Sequence, residues 1–380
     1  MQTINKIILI LSVLCIFIVG CKRRVSTDSI TCINGMNINA EKYVSSVFPN
    51  YEIIRLETVG ESLIGQNINK IRKNDNKYFI SSDKKELIVF DNQGKFLGRI
   101  EKIGVGPGEY TSLRDFDVLP NGNIVILDVN KLLFYSITGE FIKAIPLDIT
   151  CFNIKVIDND NFLICATSQS HIIYLINSDG QILSKQLERE NRRVLGKYHA
   201  FYAFGNEHII YQQDLSNDFI FFNTKTNKFA QINLLCNEDR ILDIEEINKN
   251  FEYIENNPNV KTISIISSYN DYMFFVVGSQ TSGFKGYLMN TTDKSIHYML
   301  NENTVDDIGF TRNLSLLNSI GCSDSKECFI TYLWPDQIIE GLRENKQLSE
   351  HPNYQRIELL FNNIQNIENE NPVLIELRRY

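Results

Sequence analysis

The sequence predicts an all-β fold: a six-bladed β-propeller with two helical insertions, its ring closed by pairing of strands from the two chain ends. Three observations carry this. Short apolar strands separated by tight turns recur along the middle of the chain, and their turn residues return at a period in the low forties. The composition, 43% hydrophobic, 22% charged and 11% aromatic, is that of a folded protein with material for a large core. By length alone, 380 residues would suit two or three average domains. The repeat makes them one ring.

The N-terminal segment comes first. Ile7–Val19 is a run without charge, preceded by the single cation Lys6. It is shorter than the about 20 apolar residues a membrane span needs, and it fits the core of a secretory signal. The run ends in Ile18-Val19-Gly20-Cys21, which resembles the bacterial lipobox. That resemblance implies cleavage after Gly20 and lipidation of Cys21, with palmitate among the acyl chains. Residues 1–20 are then a signal peptide, 21–50 a lipidated tether and 51–380 the propeller. Loss of Lys6 takes the net charge from −8 to −9. Lys22-Arg23-Arg24 after the cysteine points to the outer membrane, on the periplasm-facing side. The partner expected from this segment is the membrane, through the lipid. Nucleic acid is excluded as a partner, because 46 acidic residues outnumber 38 basic ones.

The blades follow. Asn76–Ile80 leads to Leu87–Asp91 and, past Gly94, to Phe96; Asn121–Ile126 leads to Leu132–Ile137 and, past Gly139, to Phe141. Asn159–Ile164, Ile172–Asn177 and Gly180 restate the pattern, with weaker copies around Asn206–Phe229 and Tyr269–Ile296. Gly94, Gly139 and Gly180 stand 45 and 41 residues apart, and Asn227 follows 47 later. Glycine or asparagine is expected at these turns because the backbone there takes positive φ. The strands are apolar at consecutive positions, as when blades stack face to face and bury both sides. The sixth blade is assembled from Leu314–Ser319, Glu327–Tyr332 and Pro372–Arg378, with Tyr51–Glu57 as its outer strand. This closure removes an open sheet edge. Residues 238–260 (Ile241, Ile244, Ile247, Phe251) and 336–371 (Ile338, Leu342, Ile357, Phe361) carry the helical period and form the two insertions.

The most specific stretch is Gly104-Val105-Gly106-Pro107-Gly108-Glu109-Tyr110, followed by Leu113–Val118, Asn121–Asp128 and Thr138–Phe141. It resembles an NHL-type blade module and, more closely, the six-bladed β-propeller lipoproteins of Bacteroidetes. The likeness extends to Ile54–Glu57, Ser62–Gly65 and Asn371–Ile375 and covers Tyr51–Tyr380. It implies the fold and the compartment, and it assigns no chemistry. Read from the residues, the loop joins the outer strand of one blade to the inner strand of the next. Two readings stay open. In one, Glu109, Tyr110, Arg114 and Asp115 sit at a funnel mouth and grip a polar ligand; in the other, the motif is a blade-to-blade clasp. It is neither a Walker A loop nor a dinucleotide fingerprint.

Catalytic signals do not assemble. The histidines 171, 199, 208, 297 and 351 are scattered, and neither a zinc-protease motif nor a nucleophile elbow occurs. The cysteines left after Cys15 and Cys21 show no metal spacing, although Cys322 and Cys328 bracket a short hairpin and are either a disulfide or buried thiols. No cofactor, metal or catalytic residue is assigned. The expected function is a cell-envelope binding or scaffold module that recognises a protein partner or a glycan through its funnel-face loops. The alternative is a metal-dependent hydrolase or lyase, its site in the central funnel and drawing on Asn67, Asp115, Asp117 and Asn153.

Overall fold

The computed structural model describes residues 30–33, 39–166, 170–188, 200–205, 207–212, 218–236, 262–279, 283–290, 292, 296–311, 320, 323–361 and 369–380. The expected inner strand Leu314–Ser319, the insertion 238–260, Cys21 and His199 lie outside them.

Six sheets surround one axis. The N-terminal segment supplies β1 (Ile30–Ile33), α1 (Val44–Val47) and β2 (Asn50–Arg55). Blade 1 is β3 (Ile68–Asn74), β4 (Lys77–Ser82), β5 (Glu86–Asp91) and β6 (Phe96–Ile100), numbered from the axis outward. Blade 2 is β7 (Asp115–Val118), β8 (Ile124–Leu127), β9 (Lys131–Tyr135) and β10 (Phe141–Pro146). Blade 3 is β11 (Cys151–Val156), β12 (Asn161–Ala166), β13 (His171–Asn177) and β14 (Ile182–Glu188). Blade 4 comprises β15 (Phe201–Phe204), β16 (His208–Gln212), β17 (Asp218–Asn223) and β18 (Lys228–Cys236). Blade 5 comprises β19 (Thr262–Tyr269), β20 (Tyr272–Ser279), β21 (Gly283–Asn290) and β22 (Ile296–Leu300).

The ring closes at blade 6, as expected from the sequence. Here β24 (Phe329–Leu333) pairs with β25 (Val373–Arg378), and β25 pairs antiparallel with β2 from Asn50↔Arg378 to Arg55↔Val373. At the axis the short β23 (Ser323–Asp324) lies parallel to β3, with Ser323 opposite Ile71 and Asp324 opposite Arg72. Inner edge thus meets inner edge across the seam where the chain ends join.

Both faces of each blade are core. In blade 1, Phe79, Leu87 and Val89 pack on Phe116, Ile124 and Ile126 of blade 2, while Tyr78, Ile80, Ile88 and Phe90 pack on Ile330 and Leu374 of blade 6. Successive side chains of a strand point to opposite faces, so a strand buried on both sides must read as a continuous apolar run. That is why Leu87–Phe90 and Ile124–Leu127 carry no polar residue.

The outer turns show a second reason for their glycines. Gly94, Gly139 and Gly180 have φ of +82°, +83° and +81°. Each also lies against the end of the preceding blade's outer strand: a Cβ on Gly94 would stand 2.1 Å from the Arg55 carbonyl oxygen, on Gly139 3.5 Å from that of Arg99, and on Gly180 3.1 Å from that of Pro146. The outer strands therefore run head to tail around the rim. Glycine serves here for close approach as well as for its dihedral angles.

From Ile30 the segment expected as a tether already lies on the ring. β1 adds in parallel to the outer edge of blade 4, Ile30 opposite Leu234. Ala40 and Tyr43 bridge to Met299 and Val305 beside blade 5, and the Ser45 amide donates to Asp307 at 2.9 Å. The segment then becomes the outer strand of blade 6. The segment thus adds a strand to blade 4, bridges to β22 of blade 5 at Ala40 and supplies the outer strand of blade 6, while β6, β10 and β14 of blades 1, 2 and 3 end their sheets with no strand of this segment beside them among the described residues. The 336–371 insertion forms α2 (Pro335–Glu344) and α3 (Pro352–Phe361), whose Ile338, Leu342, Ile357 and Phe361 are buried. No helix of the described residues is long and apolar enough to cross a membrane.

Gly94→Ala in an outer turn and Gly122→Ala in the inner β7–β8 turn separate the two roles of a turn glycine. Gly122 has φ +85° but nothing within 4 Å of its virtual Cβ, so alanine there meets only the left-handed penalty, about 1–2 kcal/mol. Gly94→Ala adds a clash with Arg55 and is expected to lower the urea midpoint clearly further than Gly122→Ala.

Candidate functional site

Propeller sites commonly sit on the axis, and here the axis is filled with charge. Alternate residues of the inner strands face it. β3 contributes Lys70 and Arg72, β7 contributes Asp115 and Asp117, β11 contributes Lys155, and β23 contributes Asp324, all of them buried. Lys70 Nζ lies 2.9 Å from Asp115 and donates to the Phe116 carbonyl at 2.8 Å. Arg72 reaches Asp117 at 3.2 Å and Asp324 at 2.8 Å. Lys155 pairs with the second oxygen of Asp324. Among the described residues, three cations and three carboxylates cancel.

The carboxylates do a second job. An inner strand has no neighbour on its axial side, so its N–H groups there need partners. Asp115 Oδ2 accepts the Ile154 amide at 2.9 Å, and two residues on Asp117 Oδ2 accepts the Val156 amide at 2.8 Å. Each side chain of blade 2 thereby closes the bare edge of blade 3. Burial works against every charge here. Even so, Arg72, Lys155 and Lys70 hold the Asp117 carboxyl below the usual carboxylate range, and the three aspartates raise Lys70, whereas burial prevails at Asp115, which is raised, and at Lys155, which is lowered.

A metal does not suit this donor set. Asp115, Asp117 and Asp324 are each within ion-pair distance of a lysine or arginine, and a cation placed among them would face Lys70, Arg72 and Lys155. Asn67, expected on the axis in the enzymatic alternative, instead donates its side-chain amide to Asp83 at 2.8 Å in an exposed position.

A second buried network joins blades 6 and 1. Glu376 on β25 accepts from Lys73 at 2.7 Å and from the Tyr78 hydroxyl at 2.7 Å, and it also pairs with Arg378. Burial opposes its charge, but the bonds from Lys73 and Tyr78 lower its pKa. Beside it, burial pushes the Cys328 thiol up to about 12. Cys151, Cys165 and Cys328 are buried thiols outside any disulfide; Cys322 lies outside the described residues.

The Gly104–Tyr110 loop lies between blades 1 and 2 at the end where β7 begins. Tyr110 is fully buried and its hydroxyl donates to the Lys85 carbonyl at 2.6 Å. Glu109 is half-buried and folds back to accept the Gly106 amide at 2.8 Å. A Cβ on Gly104 would stand 2.0 Å from that carboxylate. Arg114, also half-buried, donates to the Cys151 carbonyl at 2.9 Å and lies over the Phe152 ring at 4.5 Å. Asp128 anchors the loop's far end, accepting from the Thr111 amide at 3.0 Å and the Ser112 amide at 3.1 Å. Of the four residues expected at the funnel mouth, Tyr110 and Asp115 are therefore interior. Glu109 and Arg114 keep access to solvent. An open cleft of about 490 Å³ lies elsewhere, at the seam of blades 6 and 1, lined by Arg55, Glu57, Gln93, Lys95 and Glu370.

The sequence matches the family described as a domain of unknown function, DUF4934, over residues 27–378. The chain belongs to the DUF4934 family. No curated protein matches it. Among solved structures, it is similar to a candidate exported protein of Bacteroides fragilis, with a TM-score of 0.70 at 15% identity, covering 92% of this chain and 99% of that one. It is also similar to a DUF4221-family member of Bacteroides vulgatus, with a TM-score of 0.50 at 10% identity, covering 86% of this chain and 97% of that one. At these identities the likeness shows the fold.

The axial residues Lys70, Arg72, Lys155 and Asp324 were not among the sequence candidates. The signal for two of them was a pair of charges at i, i+2 in an inner strand, Lys70/Arg72 in β3, matched by Asp115/Asp117 in β7 one blade on.

Two predictions follow from these networks. Lys70→Met strands a buried carboxylate and should destabilise the fold by about 3–5 kcal/mol, whereas adding Asp115→Asn removes that charge, keeps an acceptor for Ile154, and should restore part of the loss in urea unfolding. For Glu376 and Asp117, folded pKa values below the unfolded ones, near 4, mean that their stabilisation is present above that pH and is lost as pH falls through the folded values. The stability advantage of the wild type over Glu376→Gln should therefore hold above about pH 5 and shrink as pH falls below about 4.

Proposed function

We propose that this chain is a lipid-anchored binding or scaffold module of the cell envelope, which recognises a protein partner or a glycan through loops at the end of the ring where β7 begins. The observation that carries this reading is the axis. Its charges satisfy one another, so recognition falls to the surrounding loops. Glu109 and Arg114, half-buried beside the glycine-rich connection and flanked by buried Tyr110 and Asp128, are the proposed contacts. They offer one anion and one cation on a rigid base.

The proposed location is the outer membrane, facing the periplasm, with Cys21 carrying the acyl chains. It is supported by the apolar run ending in Gly20-Cys21, by the family match beginning at residue 27, and by the exported description of the Bacteroides fragilis neighbour.

In-cell crosslinking of the acylated protein followed by mass spectrometry tests the reading. A specific protein or glycan should be recovered with the wild type and lost with Glu109→Gln combined with Arg114→Ala. Recovery of no specific partner, or of the same partners with both chains, contradicts it. Palmitate labelling should mark the wild type and not Cys21→Ser.

A further inference from the structure

Of the eleven exposed large apolar side chains among the described residues, Phe141 and Ile142 open the outer strand of blade 2 and Ile182 and Leu183 that of blade 3, each 42–52% exposed. Val105, 88% exposed, lies in the glycine-rich loop whose Gly108 packs on Phe141, Leu97 stands near the start of blade 1's outer strand, and Val59, Leu63, Ile103, Leu359 and Tyr380 lie elsewhere. Phe141–Ile142 and Ile182–Leu183 open β10 and β14 at equivalent positions, and exposed Lys143 and Lys185 follow them. The N-terminal segment lies beside the outer strands of blades 4 and 5, and among the described residues nothing pairs with the outer edges of β10 and β14.

We propose that this bare rim rests on the lipid surface in which Cys21 is anchored, an inference that takes the lipidation of Cys21 from the reading above. The first argument is reach. β1 is clamped to blade 4, next to blade 3, and begins nine residues after Cys21. A chain of that length spans at most about 30 Å when fully extended, so the acyl chains hold the adjacent rim within a protein radius of the bilayer. Contacts too weak to bind a membrane from solution then act within one molecule, at high effective concentration.

The second argument is chemistry. Leucine, isoleucine, valine and phenylalanine interleaved with lysine suit the headgroup boundary, where aliphatic groups enter the acyl region and ammonium groups meet anionic lipid.

The test uses the acylated mature protein in vesicles of phosphatidylethanolamine and phosphatidylglycerol whose chains are brominated near the headgroup. The chain's single tryptophan, Trp334, sets the baseline quenching. Ile142→Trp and Leu183→Trp place probes on the rim, and Phe141→Trp replaces either one if it fails to show the parent's thermal transition. Leu359→Trp, on α3 and 72% exposed, is the control. The rim probes should lose emission on brominated vesicles well beyond the baseline, and the Leu359→Trp probe should not. If the protein floats with the vesicles but rim and control are quenched alike, the rim does not lie on lipid and the proposal is overturned. Failure of the wild type from cells to float at all overturns the anchor itself, and this inference with it.

Discussion

Six sheets set around an axis leave six inner edges with unpaired backbone groups, and those edges must be satisfied out of reach of solvent. Here the described part of that requirement is met by side chains of the neighbouring blade. Asp115 and Asp117 take the Ile154 and Val156 amides, and Lys70 takes the Phe116 carbonyl. Once aspartates fill that role their charges need neutralising, which places Lys70, Arg72 and Lys155 on the same axis. Taking one partner away leaves a buried charge alone, so the network acts as a unit. It also ties blade 1, blade 2, blade 3 and the short β23 to one another across the point where the chain begins and ends its circuit.

The rim is built on a different principle. Each outer turn sits against the carbonyl that ends the previous outer strand, at a distance only glycine permits at Gly94. The N-terminal segment then lies along blades 4 and 5 before becoming the last strand of blade 6. One half of the ring is thereby wrapped by the chain itself, and the other half presents its outer strands. An asymmetric surface arises from a nearly symmetric fold.

The fold was largely legible because its signals are local. A turn glycine, a run such as Leu87–Phe90 and the spacing from Gly94 to Gly139 all lie within one blade's length. The closing strand was legible too, since Tyr51–Glu57 and Pro372–Arg378 are strand-like segments at opposite ends of a chain that otherwise runs out of blades. Of the axis, Asp115 and Asp117 were legible as inward-facing residues, but their partners were not. Lys70 and Asp115 are 45 residues apart and Lys155 and Asp324 are 169 apart, separations that no motif spacing encodes. The glycine-rich loop was half legible. Its glycines announced a tight connection between blades, but whether Tyr110 pointed to solvent or into the seam depended on Lys85 and Ile100 of the neighbouring blade.

A propeller with a self-neutralised axis is a rigid platform, and its biological specificity belongs to its loops and rim. Thermal unfolding of the purified protein with and without excess Ca²⁺ or Zn²⁺ tests this most directly. With Lys70, Arg72 and Lys155 already holding the axial carboxylates, the melting temperature should not depend on either ion through the axis. A metal-dependent rise in melting temperature that disappears in Asp117→Asn would mean that the axis binds a cation, and would contradict the account.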